Sequence, residues 1–178
     1  GDASNDDRRD SNTSHLGVGA SSASASSACA HATSGICQAN RNMQYRRLGG
    51  TGLKVSAVGY GAWITFAAQL DGDGAYKIMR HCVARGINYF DNAEVYASGR
   101  AETIMGMALA RLMEEDAVPR SSLVISTKIF QTTKDKRVRG PNDIGLSRKR
   151  IVEGLRASLK RLRLEYVDIV FAHRPDPT

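Results

Sequence analysis

The chain has 178 residues, 42% of them apolar, which is enough for one ordinary domain with a buried core. No run of about 18 apolar residues occurs, so a membrane-spanning helix is not expected. The formal net charge is +7, and residues 1–42 hold three Arg against four Asp, so the positive excess lies in 43–178. A basic domain suits nucleic acid, a membrane surface or an anionic small molecule, and charge alone does not select one of them.

Three cysteines, Cys29, Cys37 and Cys82, give no disulfide framework and suit a reducing compartment, so a cytoplasmic location is expected. Cys29, His31 and Cys37 could also be considered as metal ligands. Structural zinc, however, requires four ligands at tighter paired spacing, and no metal site is expected.

Residues 1–42 differ in composition from the rest of the chain. They contain nine Ser, eight Ala and no aromatic residue, and the stretch SSASASSACAHATS has neither helical nor strand periodicity. Such a segment buries too little apolar surface to offset the entropy of ordering it, so we predict a disordered extension. Two further interpretations are the remnant of an organellar transit peptide, against which the four Asp argue, and an extension that precedes a natural start at Met43.

From Met43 onward, short apolar runs alternate with segments of helical periodicity. Residues 44–48 and 53–56 flank Gly-Gly-Thr-Gly, which predicts a β-hairpin. The later strands are predicted at 57–63, 87–91, 123–128 and 167–173. The helices are predicted at 75–85, where Gly86 is the stop, at 100–113, and after the N-cap Ser147, with Ile151, Leu155, Leu159 and Leu162 on one face.

This order, a hairpin followed by strands alternating with helices, predicts an α/β fold with a parallel sheet, either doubly wound or closed into a barrel. A doubly wound dinucleotide-binding sheet should carry G-x-G-x-x-G after its first strand and an acidic residue about twenty residues later. Here Gly59 and Gly61 lie within the strand pattern, and no such fingerprint opens a helix. The residues therefore favour a barrel, although a complete one needs about 250 residues.

Three successive predicted strands end in an ionisable residue: Asp91, Lys128 and His173. A charge inside a buried parallel strand is costly, whereas the carboxyl ends of barrel strands are where active sites are assembled. One such ending carries no information, because strands commonly run into polar loops. Three in succession, with Tyr96 five residues after Asp91, indicate an active site.

These four side chains have complementary chemistry. A tyrosine hydroxyl is a weak acid at neutral pH, but an adjacent lysine ammonium stabilises the phenolate, and an aspartate fixes the lysine. A histidine can donate a hydrogen bond to a substrate carbonyl oxygen and hold it at the tyrosine. Such a set protonates an oxygen as hydride arrives at its carbon, and hydride requires a cofactor because no side chain can supply it.

Five stretches carry a resemblance to a known family: GAWITFAAQLD, NYFDNAEVYASGRAE, LVISTKIF, GLSRKRIVEGLRASLKRL and YVDIVFAHRPD. Residues 43–178 resemble the first half of an aldo-keto reductase, most closely the branch that contains the potassium-channel β subunits and their plant and fungal reductase relatives. The resemblance implies the N-terminal half of a (β/α)8 TIM barrel, from the hairpin to the fourth barrel strand. It also implies NADPH-dependent reduction of an aldehyde or ketone to an alcohol.

The same resemblance assigns roles to individual residues. The catalytic tetrad matches Asp91, Tyr96, Lys128 and His173, with Tyr96 as the proton donor. The block on the nicotinamide side of the cofactor site matches Ala62, Trp63 and Gln69, and Asp91 is shared by both sets. Without the resemblance, Trp63 could equally be a core aromatic residue.

Two departures from the family pattern bear on function. The channel β subunits usually have Asn at the position of His173, so this histidine favours the enzymatic relatives over a purely regulatory subunit. The loop QTTKDKRVRGPND is longer and more basic than expected. Its cations, Lys134, Lys136, Arg137 and Arg139, could attract an anionic substrate, but a solvated basic loop is the favoured interpretation.

The resemblance also implies that the main grip on the pyrophosphate and 2′-phosphate of NADPH comes from the second half of the barrel, beyond Thr178. A half barrel leaves its outer strands unpaired and its core face uncovered. We therefore expect this chain alone to be unstable or to aggregate, and to be inactive.

Two other functions are compatible with parts of the sequence. A channel β-type regulatory subunit would bind NADPH as a redox sensor, with a channel α subunit as its partner. Nucleic-acid binding through residues 148–163 is disfavoured, because the Lys and Arg residues are expected opposite the apolar face, as on any solvent-exposed barrel helix. The expected partners are a small carbonyl substrate and either further copies of the chain or a channel α subunit, with no nucleic acid.

Overall fold

The computed structural model describes residues 42–67 and 69–177. Residues 1–41 lie outside the described part of the chain, so the structure does not bear on the predictions for Cys29, His31 and Cys37 or, except at Asn42, on the prediction for the Ser/Ala-rich extension. The described strands are β1 (Tyr45–Arg47), β2 (Lys54–Ser56), β3 (Tyr60–Gly61), β4 (Tyr89–Asp91), β5 (Val124–Ile129) and β6 (Ile169–Ala172). The helices are α1 (Gly72–Ala84), α2 (Arg100–Glu114) and α3 (Arg148–Leu162). None of these helices is long and apolar enough to cross a membrane.

The predicted hairpin is confirmed. Strands β1 and β2 pair antiparallel, with Arg46 opposite Val55. Gly49 and Gly52 have φ values of +55° and +78°, a left-handed conformation that glycine adopts without steric cost. The hydroxyl of Tyr45 donates to the carbonyl oxygen of Gly86 at 2.7 Å, so the hairpin is held against the end of α1.

The predicted parallel sheet is also confirmed, with the strand order β3-β4-β5-β6. Gly61 pairs with Asp91, Asp91 with Ser126, and Ser126 with Ile169. The backbone N–H of His173 donates to the carbonyl oxygen of Ile129 at 3.0 Å, which extends the last ladder by one residue beyond β6. Within the described residues the sheet is open, with β3 and β6 as its edges.

The first parallel strand is shorter than expected, two residues instead of the predicted 57–63. On its amino side, the hydroxyl of Ser56 donates to the carbonyl oxygen of Val58 at 2.7 Å and turns the chain. On its carboxyl side, the N–H of Phe66 donates to the carbonyl oxygen of Ala62 in a second turn. Trp63 therefore lies in this turn and not in a strand, with 68% of its surface exposed.

Helix α1 begins three residues before its predicted start. The carboxylate of Asp71 accepts a hydrogen bond from the N–H of Gly74 at 2.9 Å, which satisfies a donor in the first turn. The predicted stop at Gly86 is confirmed, since this residue has a φ of +85°. The predicted cap of α3 is confirmed as well, because the hydroxyl of Ser147 accepts from the N–H of Arg150.

Side chains alternate between the two faces of the sheet, and the register determines which residues share a face. One face packs on the helices: Phe90 and Ile125 are fully buried in a cluster with Met79, Met105 and Leu109. The opposite face carries the intervening residues of each strand. These residues are Gly61, Tyr89 and Asp91, Val124, Ser126 and Lys128, and Ile169 and Phe171, with Gly59 just before β3 and His173 just after β6.

The predicted inward face of α3 is confirmed at Leu162 and wrong at Ile151. The residues that α3 buries are Arg150, Gly154, Ser158 and Leu162, whereas Ile151 is exposed and Leu155 and Leu159 are only partly buried. Arg150 is buried because its guanidinium pairs with Glu94, and Arg161 turns inward to Glu102 at 2.7 Å. Two of the cations expected in solvent therefore anchor the helix, and the specific ion pairs outweigh the apolar periodicity.

Candidate active site

Lys128 is at the centre of the site. Its ammonium nitrogen lies 2.5 Å from Asp91 Oδ2, 2.8 Å from the carbonyl oxygen of Asn92 and 3.2 Å from the hydroxyl oxygen of Tyr96. These three acceptors use all three ammonium hydrogens. Since Lys128 supplies the hydrogen in the bond to Tyr96, the hydroxyl hydrogen of Tyr96 is available to an acceptor on a bound molecule.

The second carboxylate oxygen of Asp91 is also held. Ser126 Oγ donates to Asp91 Oδ1 at 2.7 Å, and the hydroxyl oxygen of Tyr89 lies 3.2 Å from Ser126 Oγ. Ser126 is fully buried between β4 and β6. The carboxylate is therefore fixed from both sides, by Lys128 on one oxygen and by Ser126 on the other.

A left-handed turn follows Tyr96 immediately. Ala97, Ser98 and Gly99 have φ values of +48°, +56° and +88°, and α2 begins at the next residue. Only glycine adopts this region freely, so Ala97 and Ser98 each store on the order of 1 kcal/mol of strain. The turn reverses the chain between β4 and α2 and leaves Tyr96 beside Lys128.

His173 completes the set from the end of β6. Its ring packs edge-on against the ring of Tyr96, with 5.8 Å between centroids. Burial, followed by the positive charges of Lys128 and Arg174, lowers the pKa of His173, so its ring is neutral at neutral pH. Its Nδ1 atom is buried and has no hydrogen-bond partner among the described residues.

A cavity of about 340 Å³ opens over these rings. It is lined by Trp63, Val95, Tyr96, Ala97, Gln131, His173 and Arg174. The indole of Trp63 stacks on the phenol of Tyr96 at 6.1 Å between centroids, with 26° between the ring planes. The four residues predicted as a catalytic set are thus brought together, and the cavity gives a small molecule access to two of them.

The residues predicted on the cofactor side separate into two places. Trp63 lines the cavity just described, and the N–H of the buried Ala62 donates to the carbonyl oxygen of Asp91 at 3.0 Å. Gln69 instead lines a separate groove of about 530 Å³ between the starts of α1 and α2, together with Arg100 and Thr103. The structure therefore places Ala62 and Trp63 beside the predicted tetrad, to which Asp91 itself belongs, and Gln69 in a separate groove.

Comparison with known proteins bears on this site. The model of the aldo/keto reductase family matches residues 57–178, more than half of the chain, and this range includes all four residues of the set. The chain belongs to the aldo/keto reductase family. The family implies an oxidoreductase with a (β/α)8 barrel, and its members generally use NAD(P)H.

Two curated relatives narrow the branch within the aldo/keto reductase family. A probable voltage-gated potassium channel subunit beta of Oryza sativa subsp. japonica is 55% identical over 136 residues, which are 76% of this chain and 39% of that protein. A protein of the same description from Arabidopsis thaliana is 56% identical over 134 residues, or 75% of this chain and 38% of that protein. The chain thus spans about two fifths of the length of these relatives.

Sequence reasoning missed a second charged network in this aldo/keto reductase site, on the helix side of Tyr96. The carboxylate of Glu94 pairs with Arg150 and accepts from the N–H of Phe130 at 2.8 Å. Arg150 also donates to the carbonyl oxygens of Gln131 and Asp143. Glu94 lies between Asp91 and Tyr96 in the chain, so this pair fixes the segment that carries both.

Two of the four cations in the basic loop after β5 are held in local ion pairs. Lys134 pairs with Asp143 at 2.8 Å, and Arg137 with Asp135 at 3.0 Å. Both cations are more than half exposed, and such pairs contribute little to stability. This arrangement favours the interpretation of a solvated loop over an anion site.

Proposed function

We propose that this protein is an NADPH-dependent aldo-keto reductase that reduces an aldehyde or ketone to an alcohol, with Tyr96 as the proton donor. The observation that carries the proposal is the position of the Lys128 ammonium, which contacts both the carboxylate of Asp91 and the hydroxyl of Tyr96. A lysine that donates to a phenol oxygen stabilises the phenolate, and this is what a proton donor requires.

The proton transfer follows from the direction of these hydrogen bonds. A carbonyl oxygen in the cavity accepts the hydroxyl hydrogen of Tyr96. This hydrogen points into the cavity because Lys128 already donates to the phenol oxygen of Tyr96 from the other side. As the proton leaves, negative charge forms on the phenol oxygen, 3.2 Å from the ammonium. Asp91 keeps Lys128 in place and does not exchange a proton.

His173 positions the carbonyl group. A neutral imidazole carries one N–H, and the lowered pKa of His173 keeps the ring in this form. Its N–H would donate to the same carbonyl oxygen that Tyr96 protonates, which aligns the oxygen with the phenol. The edge-on contact between the two rings sets their relative orientation.

A nicotinamide cofactor fits the residues beside this set. An exposed indole, a carboxylate and a buried imidazole nitrogen without a partner are suited to a flat heterocycle with amide and hydroxyl groups. Trp63 and Asp91 would hold its nicotinamide side. When bound, NADPH supplies the hydride that reaches the carbonyl carbon. The (β/α)8 closure that the family implies would complete the walls of the site.

The experiment is made in the full-length protein and compares it with its Tyr96→Phe variant in NADPH oxidation by small aldehydes. Loss of the proton donor should lower kcat/KM by at least about a hundredfold while NADPH binding, followed by fluorescence, is retained. Tyr166→Phe, a matched loss of one hydroxyl from a tyrosine that is 47% exposed, should match the parent. Parental turnover in Tyr96→Phe would contradict the assignment.

The second candidate is a potassium-channel β-type regulatory subunit that binds NADPH as a redox sensor. It is supported by the similarity to the rice and Arabidopsis proteins, both described as probable voltage-gated potassium channel β subunits. This function would be favoured if the protein co-purifies with a co-expressed voltage-gated channel α subunit and if NADPH changes the amount bound. The association should be retained in Tyr96→Phe. Rapid aldehyde turnover without such association would favour the reductase alone.

A further inference from the structure

We propose that Tyr89 and Ser126 form a positioning relay that orients the carboxylate of Asp91 toward Lys128 and so tunes proton donation by Tyr96. The inference rests on the function proposed above and adds two positioning residues to it. Both side chains lie on the sheet face that carries the tetrad, one strand position before Asp91 and Lys128 on that face.

Counting hydrogens gives the relay a direction. Ser126 has one hydroxyl hydrogen, and it is donated to Asp91 Oδ1 at 2.7 Å. The contact of 3.2 Å between Tyr89 and Ser126 must therefore use the hydrogen of Tyr89. Burial raises the pKa of Tyr89, so this hydroxyl keeps its hydrogen across the neutral range. The donors run from Tyr89 to Ser126 to Asp91.

The glycine that precedes β3 leaves room for the relay. Gly59 lies beside Tyr89 on the same face, and a Cβ at position 59 would stand 2.6 Å from Cδ1 of the Tyr89 ring. Real Cβ atoms do not approach other atoms so closely, so the ring of Tyr89 occupies space that only glycine leaves free. No left-handed φ requires glycine here, and close packing is the remaining reason.

The relay affects Tyr96 through the charges on Asp91 and Lys128. A hydrogen bond to one oxygen of a carboxylate draws negative charge away from the other. If Ser126 no longer donates, Asp91 offsets the charge of Lys128 more fully, and the ammonium stabilises the phenolate of Tyr96 less. The other charged or titratable groups at the site, His173 and Arg174 after β6, are unchanged. Loss of the relay should therefore slow proton donation and move the basic limb of the pH–rate profile upward.

The test is a double-mutant cycle on kcat for aldehyde reduction, with Tyr89→Phe, Ser126→Ala and the double variant. We expect losses of about fivefold for Tyr89→Phe and about tenfold for Ser126→Ala, as for one neutral and one charge-assisted hydrogen bond. The loss in the double variant should be smaller than the product of the two single losses, because the hydrogen bond of Tyr89 reaches Asp91 through Ser126. Affinity for NADPH should not change, and the basic limb should rise in each variant.

Tyr60→Phe is the matched control, since Tyr60 on the adjacent strand donates its hydroxyl to Thr65 at 2.9 Å. Parental kcat in Tyr89→Phe, fully additive losses, or a lower kcat with an unmoved basic limb would each overturn the relay. If Ser126→Ala does not fold, Tyr89→Phe, which keeps the ring, decides alone. Absence of turnover in the parent would contradict the proposed function itself, and the relay with it.

Discussion

Replacing Arg150 with Met is expected to destabilise the protein by about 3–5 kcal/mol, because it leaves a buried carboxylate without its cation. Arg150 and Glu94 are 6% and 2% exposed. Methionine retains the apolar length of the arginine stem and none of its donors. The substitution therefore removes charge and hydrogen bonds while it changes packing little.

The magnitude follows from the contacts that remain. Without Arg150, the carboxylate of Glu94 keeps one donor, the N–H of Phe130 at 2.8 Å. The carbonyl oxygens of Gln131 and Asp143 also lose a donor, at about 1 kcal/mol each. Glu94→Gln leaves the buried charge of Arg150 unpaired in the same way and should also cost about 3 kcal/mol, whereas Arg150→Met in that background should cost about 2 kcal/mol less than in the parent, since the double variant leaves neither charge without its partner.

The loss should depend on pH. Burial raises the pKa of Glu94, while the N–H of Phe130 and the charge of Arg150 oppose this, so removal of Arg150 raises it further. A carboxyl with a raised pKa binds its proton more tightly in the folded state. The contribution of Glu94 to stability is therefore greatest below its ordinary pKa of 4.5, and it is lost as the pH rises through its pKa in the folded state. The deficit of Arg150→Met should be smaller at about pH 5 than at about pH 8.

Urea unfolding followed by circular dichroism measures these quantities in the purified protein at both pH values. Trp63 is a poor probe because it is already 68% exposed in the folded state. A deficit below about 1 kcal/mol at the higher pH, or a deficit that does not change with pH, would refute the reasoning. So would a double variant whose loss equals the sum of the single losses.

Three further predictions follow from single side chains. Gly106→Ala should lower the free energy of unfolding by at least about 2 kcal/mol despite the better helix propensity of alanine, because the new Cβ would lie 2.7 Å from the carbonyl carbon of Leu162. Urea unfolding measures this loss, and Gly72→Ala, whose Cβ would meet only the flexible end of Met107, is the control. Ala97→Gly should leave stability unchanged or raise it by about 0.5 kcal/mol, since Ala97 has a φ of +48°. Ala157→Gly, on the exposed side of α3, should lower stability by about 1 kcal/mol. Equal losses in the two variants would contradict backbone strain at Ala97. The pKa of His173 is lowered in the folded state, so unfolding takes up a proton, and stability should fall as the pH drops below about 6.5. His173→Gln should make the urea midpoint depend less on pH in this range. An unchanged pH dependence would contradict the role of His173.

Local patterns were sufficient to predict the elements and the meeting of the tetrad. Ser147 and Gly86 mark helix ends through contacts within four residues or through their own φ, and both signals are visible in sequence. Asp91, Lys128 and His173 meet because parallel strands present their carboxyl ends at one edge. The relay was equally accessible, because alternation places Tyr89 with Asp91 and Ser126 with Lys128 on one face.

The inward face of α3 could not be predicted in the same way. Ile151, Leu155 and Leu159 have the apolar spacing of a buried face, yet Arg150 and Ser158 are buried instead. The reason lies far away in the chain: Glu94 and Glu102 precede their arginines by 56 and 59 residues. Periodicity within a helix contains no information on such partners. The available signal was the recurrence of small residues, Gly154 and Ser158, at steps of four from Arg150.

The position of Glu94 gives the buried pair a consequence for catalysis as well as for stability. Glu94 follows Asp91 by three residues and precedes Tyr96 by two, and its carboxylate accepts from Phe130, two residues after Lys128. Arg150 therefore ties together the backbone segments that carry three of the four tetrad residues. If Arg150→Met/Glu94→Gln regains stability, kcat for aldehyde reduction should remain below that of the parent, because neutral groups restore burial without restoring this geometry. Full recovery of kcat along with stability would show that the pair contributes to folding alone.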